Sequence, residues 1–82
     1  MSAHGLSNPF AEVTLVAELR TRVADLRQQL LKTTDAYHQA VAEHDAAQVS
    51  PLLRRRSLLT RQLLESQSEL LLVIRMEHAQ AA

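Results

Sequence analysis

Aliphatic residues recur at helical spacing along most of this chain, in two long stretches. The first follows alternating steps of three and four residues, the seven-residue repeat of coiled coils, through Val16, Leu19, Val23, Leu26, Leu30, Thr33, Tyr37, Ala40, His44 and Ala47. The second carries a broader stripe made of Leu52, Leu53, Leu59, Leu63, Leu64, Leu70, Leu71 and Ile74. The pattern predicts an all-α protein, a two-helix antiparallel hairpin.

The start of each helix is predicted from a capping residue followed by proline. The side-chain oxygen of Asn8 can accept a hydrogen bond from a free backbone N–H at the start of the helix. Pro9 fits the first helical position because it has no N–H that needs a partner. Ser50 and Pro51 repeat this arrangement. The boundaries predicted in this way are a flexible tail over residues 1–8, a hairpin over 9–78 with helices at about 9–46 and 51–78, and a frayed end over 79–82.

A second start for the second helix is also compatible with the sequence. Asp45 and Gln48 have the spacing of a capping box, in which the glutamine side chain returns to the N–H of the capping residue. That start places Pro51 inside the helix, at a cost of about 3 kcal/mol unless a kink relieves the clash. We therefore expect the start at residues 50–51.

The second helix carries more leucine than one neighbouring helix can cover. Residues 70–74 are five consecutive apolar residues that encircle the helix. The first helix is expected to be about 55 Å long and the second about 40 Å, so the first should extend beyond the end of the second. Both features favour completion to a four-helix bundle, by homodimerisation or by a helical partner. The residues predicted to make that contact are Leu59, Leu63, Leu70, Leu71 and Ile74.

Composition narrows the partners and the location. The chain has 82 residues, no cysteine, and nine basic residues against nine acidic ones, so no net charge attracts nucleic acid or an anionic membrane. Its longest apolar run, residues 70–74, is far shorter than the roughly 20 residues of a membrane-spanning helix. Since no signal-peptide pattern is visible at the N-terminus, we expect a cytoplasmic protein that binds another protein, without nucleic acid and without a membrane span.

Clusters of arginine and histidine that could bind a ligand or a metal are interpreted as surface or packing residues. Residues 54–56 are three consecutive arginines, which spread around a helix, and Arg56 is the one expected near the interhelix groove. Three histidines lack the four-residue spacing of a helical metal site, so no metal or cofactor is expected; they are His38, His44 and His78. His44 is expected to be a packed or capping residue near a helix end.

Chorismate mutases are small helical bundles, so an enzyme of that kind is an alternative. Their sites use arginines, a lysine and a Glu or Gln, and Lys32 is the only lysine here. The Leu-Arg-x-Arg-Val-x-x-Leu segment at residues 19–26 is common among helices, and no catalytic signature is recognisable. We therefore expect a non-enzymatic protein.

The stretch of residues 37–59 resembles the hairpin of the FliT-like and FlgN-like flagellar export chaperones. In those proteins an acidic residue at the turn precedes leucines, a basic residue and further leucines, a pattern matched by Asp45, Val49, Leu52, Leu53, Arg56 and Leu59. The resemblance implies a cytoplasmic helical chaperone of type III export, often dimeric, that offers a leucine groove to an amphipathic helix. A type III needle-protein co-chaperone is an alternative within secretion, and a purely structural homodimeric bundle is the alternative outside it.

Overall fold

The computed structural model describes residues 9–81, with side chains for residues 14–79. Two helices, α1 (Pro9–Ala42) and α2 (Ala46–Ala81), are joined by a turn at residues 43–45 and pack against each other as an antiparallel hairpin. This confirms the predicted fold class. The tail predicted over residues 1–8 lies outside the described residues, as does residue 82.

The seven-residue repeat of α1 is the side that packs on α2. Its buried positions are Leu19, Val23, Leu26, Thr33 and Ala40, with Val16, Leu30 and Tyr37 half-buried between them. His44 and Ala47 are exposed, so the prediction that the repeat continues through them is wrong. The repeat ends because the helix ends at Ala42.

A second seven-residue repeat on α2 faces α1. Leu59 and Ser66 are buried, and the positions between them and on either side are half-buried: Val49, Leu52, Arg56, Leu63, Leu70 and Val73. The predicted stripe was wider than this, since Leu53, Leu64 and Leu71 are exposed. Among the described side chains, no buried polar atom lacks a hydrogen-bond partner.

Arg56 lies at the helix interface, as the sequence predicts. Its guanidinium carbon is 5.9 Å from the centre of the Tyr37 ring, within the range of a cation–π contact. The face of the Tyr37 ring therefore attracts the positive charge of Arg56, and both side chains are half-buried between the helices.

The turn differs from the preferred prediction. α1 ends at Ala42 rather than 46, and α2 begins at Ala46 rather than 51 and continues to Ala81 rather than 78. Backbone hydrogen bonds from the His44 N–H to the Val41 carbonyl (3.1 Å) and from the Asp45 N–H to the Ala40 carbonyl (2.9 Å) form a Schellman motif. This motif ends α1 before Ser50-Pro51 can begin a new helix.

Pro51 consequently lies inside α2, in its second turn. The helix starts at the alternative site, where the Asp45 carbonyl accepts the N–H groups of Gln48 (3.0 Å) and Val49 (3.2 Å). A non-proline residue at position 51 would donate to the carbonyl of Ala47. Because Ala47 is exposed, water can reach that carbonyl, which lowers the cost of the missing bond.

The two helices are nearly equal in length, so the predicted overhang is wrong. α1 has 34 residues and α2 has 36, which correspond to about 51 and 54 Å. The molecule measures 63 × 24 × 14 Å. A thickness of 14 Å is close to the diameter of one helix with its side chains, about 10–12 Å, so the hairpin is a single layer with two broad faces.

A prediction follows from the backbone of His44, which has φ 56° at the position where helices commonly end in glycine. We expect His44→Gly to raise the free energy of unfolding by up to about 1 kcal/mol, because glycine has no Cβ to crowd the backbone there. His44→Val should lower it by about 1–2 kcal/mol, since a branched side chain fits this conformation poorly. Urea unfolding followed by circular dichroism measures both.

The control for this test is Ala42→Gly, which introduces glycine at the last residue of α1. It should destabilise the hairpin by about 0.5–1 kcal/mol. An equal loss for His44→Gly and Ala42→Gly would contradict the left-handed turn.

Candidate binding surface

A groove runs between the helices on one broad face of the hairpin. Its volume is about 440 Å³, and its lining residues are Arg20, Val23, Ala24, Arg27, Gln67, Leu70 and Leu71. Val23 and Leu70 form its floor, since both belong to the packed repeats of their helices. We call this concavity the apolar groove.

Exposed leucines extend the apolar groove along both helices. Seven residues return to nearly the same side of a helix, so Leu31 continues the line of Ala24 and Leu64 continues the line of Leu71. The exposed fractions of Leu31, Leu64 and Leu71 are 61%, 59% and 57%. These three residues, which we call the rim leucines, place large apolar side chains in solvent beside a concave surface.

A second line of positions on α1, that of Arg20 and Arg27, leads to another concavity near the turn. Val41 lies two seven-residue steps beyond Arg27 and is 46% exposed. With His44, Ala46, Val49 and Ser50 it lines a shallow depression of about 450 Å³. Apolar side chains are thus exposed on this face both around the apolar groove and near the turn.

The opposite face has a different chemistry. Its groove, of about 300 Å³, is lined by Arg22, Leu26, Gln62, Glu65, Ser66 and Glu69. An adjoining cleft adds Glu18 beside Arg22 and Glu69. We call this pair of depressions the acidic groove, because three carboxylates and one guanidinium surround it.

The five residues predicted to contact a partner differ in their exposure and in their position on the hairpin. Leu71 is an exposed rim leucine and Leu70 is on the groove floor, while Leu63 and Ile74 are half-buried. Leu59 is 4% exposed and packs against α1. We correct its assignment, because a residue in the core of the hairpin has no surface to offer a partner that docks from outside.

Other groove residues were missed by sequence reasoning. Ala24, Arg20 and Arg27 come from α1, whereas the residues predicted to contact a partner all come from α2. The available signal was a second set of seven-residue steps, from Ala24 to Leu31 and from Arg20 to Arg27. Which side of α2 these steps approach depends on how the two helices pair, and the spacing within one helix does not contain that information.

Three further apolar side chains are exposed on α2 away from the apolar groove: Leu58, Leu72 and Met76. Within residues 14–79, no group of three His, Asp or Glu side chains is placed to hold a metal ion. Neither helix, over its described length, is long and apolar enough to cross a membrane.

These features define the protein as an antiparallel two-helix hairpin with an apolar groove on one face and an acidic groove on the other. Comparison with known proteins finds no match to the chain among protein families, curated proteins or solved structures.

Proposed function

We propose that this protein is a non-enzymatic protein-binding module that holds a helix of another chain in the apolar groove. The observation that carries the proposal is the exposure of Leu71, 57%, on the rim of a groove that Val23 of α1 and Leu70 of α2 also line. A helix of about 10 Å diameter is convex and fits such a concavity, with its apolar side chains against the rim leucines.

The thin core supports the same proposal. In a single layer of two helices, each helix packs on one neighbour, whereas a bundle of three or four helices covers each helix from at least two sides. Five apolar side chains of the described hairpin are less than 10% exposed, namely Leu19, Val23, Leu26, Ala40 and Leu59. A bound helix would cover the rim leucines and add a second layer to this core.

An export chaperone of the cytoplasm is the biological setting we propose for this activity. Residues 37–59 resemble the hairpin of flagellar export chaperones, for which the resemblance implies capture of an amphipathic helix. A second candidate is a structural homodimer, favoured by the exposed Leu58 and Leu72, which share a side of α2 outside the apolar groove.

The test uses neighbouring leucines of equal exposure. Leu71 lines the apolar groove and is 57% exposed, whereas Leu72 is 58% exposed and lies about 100° further round the helix, outside the groove. The probe is a fluorescent helical peptide of about 18 residues, roughly 27 Å long, with leucines along one side and uncharged glutamines elsewhere. Anisotropy measures its binding to the full chain.

We expect Leu71→Glu to weaken binding of the probe at least about tenfold, because the variant replaces an apolar contact by a charged side chain that the bound helix must desolvate, and Leu72→Glu to leave it nearly unchanged. Both variants should keep the helical circular dichroism of the parent. If Leu71→Glu instead converts a dimer to an unfolded monomer in light scattering, the homodimer is the correct candidate.

A further inference from the structure

The charges of the hairpin are divided between its two faces although they sum to zero. Arg20 and Arg27 line the apolar groove, and no carboxylate does so among the described side chains. Glu18, Glu65 and Glu69 line the acidic groove on the other face. Equal numbers of acidic and basic residues in the sequence therefore hide a strong asymmetry.

Arg61 and Arg75 lie next to the rim leucines of α2 but do not line the apolar groove. Arg61 precedes Leu64 by three residues and Arg75 follows Leu71 by four, and residues at these separations are neighbours on a helix surface. Both arginines are exposed. On α1, Asp35 stands in the same relation to the rim leucine Leu31, four residues further along the helix, and it lies about 12 Å from Arg27 toward the turn.

From this arrangement we propose that the occupant of the apolar groove is an amphipathic helix whose apolar stripe is flanked by Asp and Glu. The inference rests on the proposed function and specifies the partner of the same site. The partner's apolar residues would cover the rim leucines. Its carboxylates would meet the guanidinium groups of Arg20 and Arg27 on α1.

A second copy of this chain does not satisfy the same surface. A two-fold dimer places identical patches against each other, so the patch must complement itself. Docking apolar groove on apolar groove would bring these arginines of one copy toward those of the other, with no groove carboxylate to pair with them. Like charges that meet across an interface cost several kcal/mol, so charge selects against this dimer and for an acidic partner.

The shape of the site favours a helix over other anionic partners. Nucleic acid would pair with the arginines but would leave the rim leucines against a polar backbone, and a flat bilayer surface would not fill a concavity of about 440 Å³. A helix with an apolar stripe and acidic edges matches both the concavity and the charge.

The experiment compares two probe peptides with the full-length protein. Both have the same leucine stripe, flanked by Glu in one and by Lys in the other. We expect the Glu peptide to bind at least about tenfold more tightly than the Lys peptide at low salt, with a smaller ratio at higher salt, because exposed charge pairs are screened within about 8–10 Å.

Charge-reversed variants locate the effect. Arg20→Glu with Arg27→Glu should reverse the preference in favour of the Lys peptide. Arg22→Glu is the matched control, since Arg22 lies on α1 between them but lines the acidic groove; it should leave the preference for the Glu peptide in place. Circular dichroism confirms that each variant remains helical.

The outcomes separate this inference from the proposed function. Equal binding of both peptides, with both lost in Leu71→Glu, would overturn the acidic partner and retain the helix-binding groove. Failure of every leucine-striped peptide, including the glutamine one, would overturn both. A dimer in light scattering that Leu71→Glu dissociates, or binding to phosphatidylserine vesicles in preference to the Glu peptide, would also overturn the acidic helix as occupant.

Discussion

Leu59→Ala is expected to remove most of the free energy of unfolding of the protein at room temperature. Leu59 is 4% exposed and packs against α1 in a core with few other buried side chains. Truncating a buried leucine to alanine costs about 2–5 kcal/mol, because transfer energy is lost and a cavity remains. A scaffold of this size has only about 3–5 kcal/mol of stability from its core, so one truncation removes most of it.

Leu58→Ala is the matched control for that experiment. Leu58 is the preceding residue on the same helix, but it is 51% exposed, so its truncation should change the free energy of unfolding by about 0.5 kcal/mol or less. Urea unfolding monitored by circular dichroism compares the two variants. Equal losses for Leu58→Ala and Leu59→Ala would mean that α2 does not face α1 with the side described here.

Pro51→Ala is expected to stabilise the hairpin. In the second turn of α2 the proline ring crowds the Ala47 carbonyl and removes one helical hydrogen bond. Alanine restores that bond, but it also makes the unfolded chain more flexible, which lowers the free energy of unfolding by about 0.4–1 kcal/mol. The net gain should be about 1–2 kcal/mol, and at about 4–8 °C per kcal/mol the melting temperature should rise by about 4–16 °C.

The melting temperature also tests where α2 begins. Ser50→Ala should change it little, because residue 50 is an exposed position within the helix in this structure. If Ser50 were the N-cap, its replacement would cost about 0.5–2 kcal/mol. A lower melting temperature for both Ser50→Ala and Pro51→Ala would therefore restore a helix start at residues 50–51.

The helices were predictable from the sequence because their packed sides repeat every seven residues. Val23 and Leu26, for example, lie at the interface where the repeat places them. The turn was harder, because two capping signals compete within seven residues. The Schellman motif that decides between them places His44 in a left-handed conformation that glycine usually supplies, so its position was not evident from residue types.

The candidate site was predictable in part. Leu71 could be singled out from α2 alone, since five consecutive apolar residues cannot all face one neighbour. The roles of Arg20 and Arg27 depend on the side of α2 that packs against α1. The net charge of the chain did not indicate a charged groove, because acidic and basic residues cancel. Segregation of charge becomes visible when the two helices are placed side by side.

The position of the apolar groove has a consequence for the rate at which the two helices separate. Val23 and Leu70 on its floor are 47 residues apart in sequence and lie toward the end of the hairpin that is remote from the turn. A ligand bound to both helices there would act as a reversible cross-link over this segment of chain, and the entropic cost of closing such a loop rises slowly with its length. Binding should therefore slow separation of the helices and protect the chain from proteases that attack it when it opens.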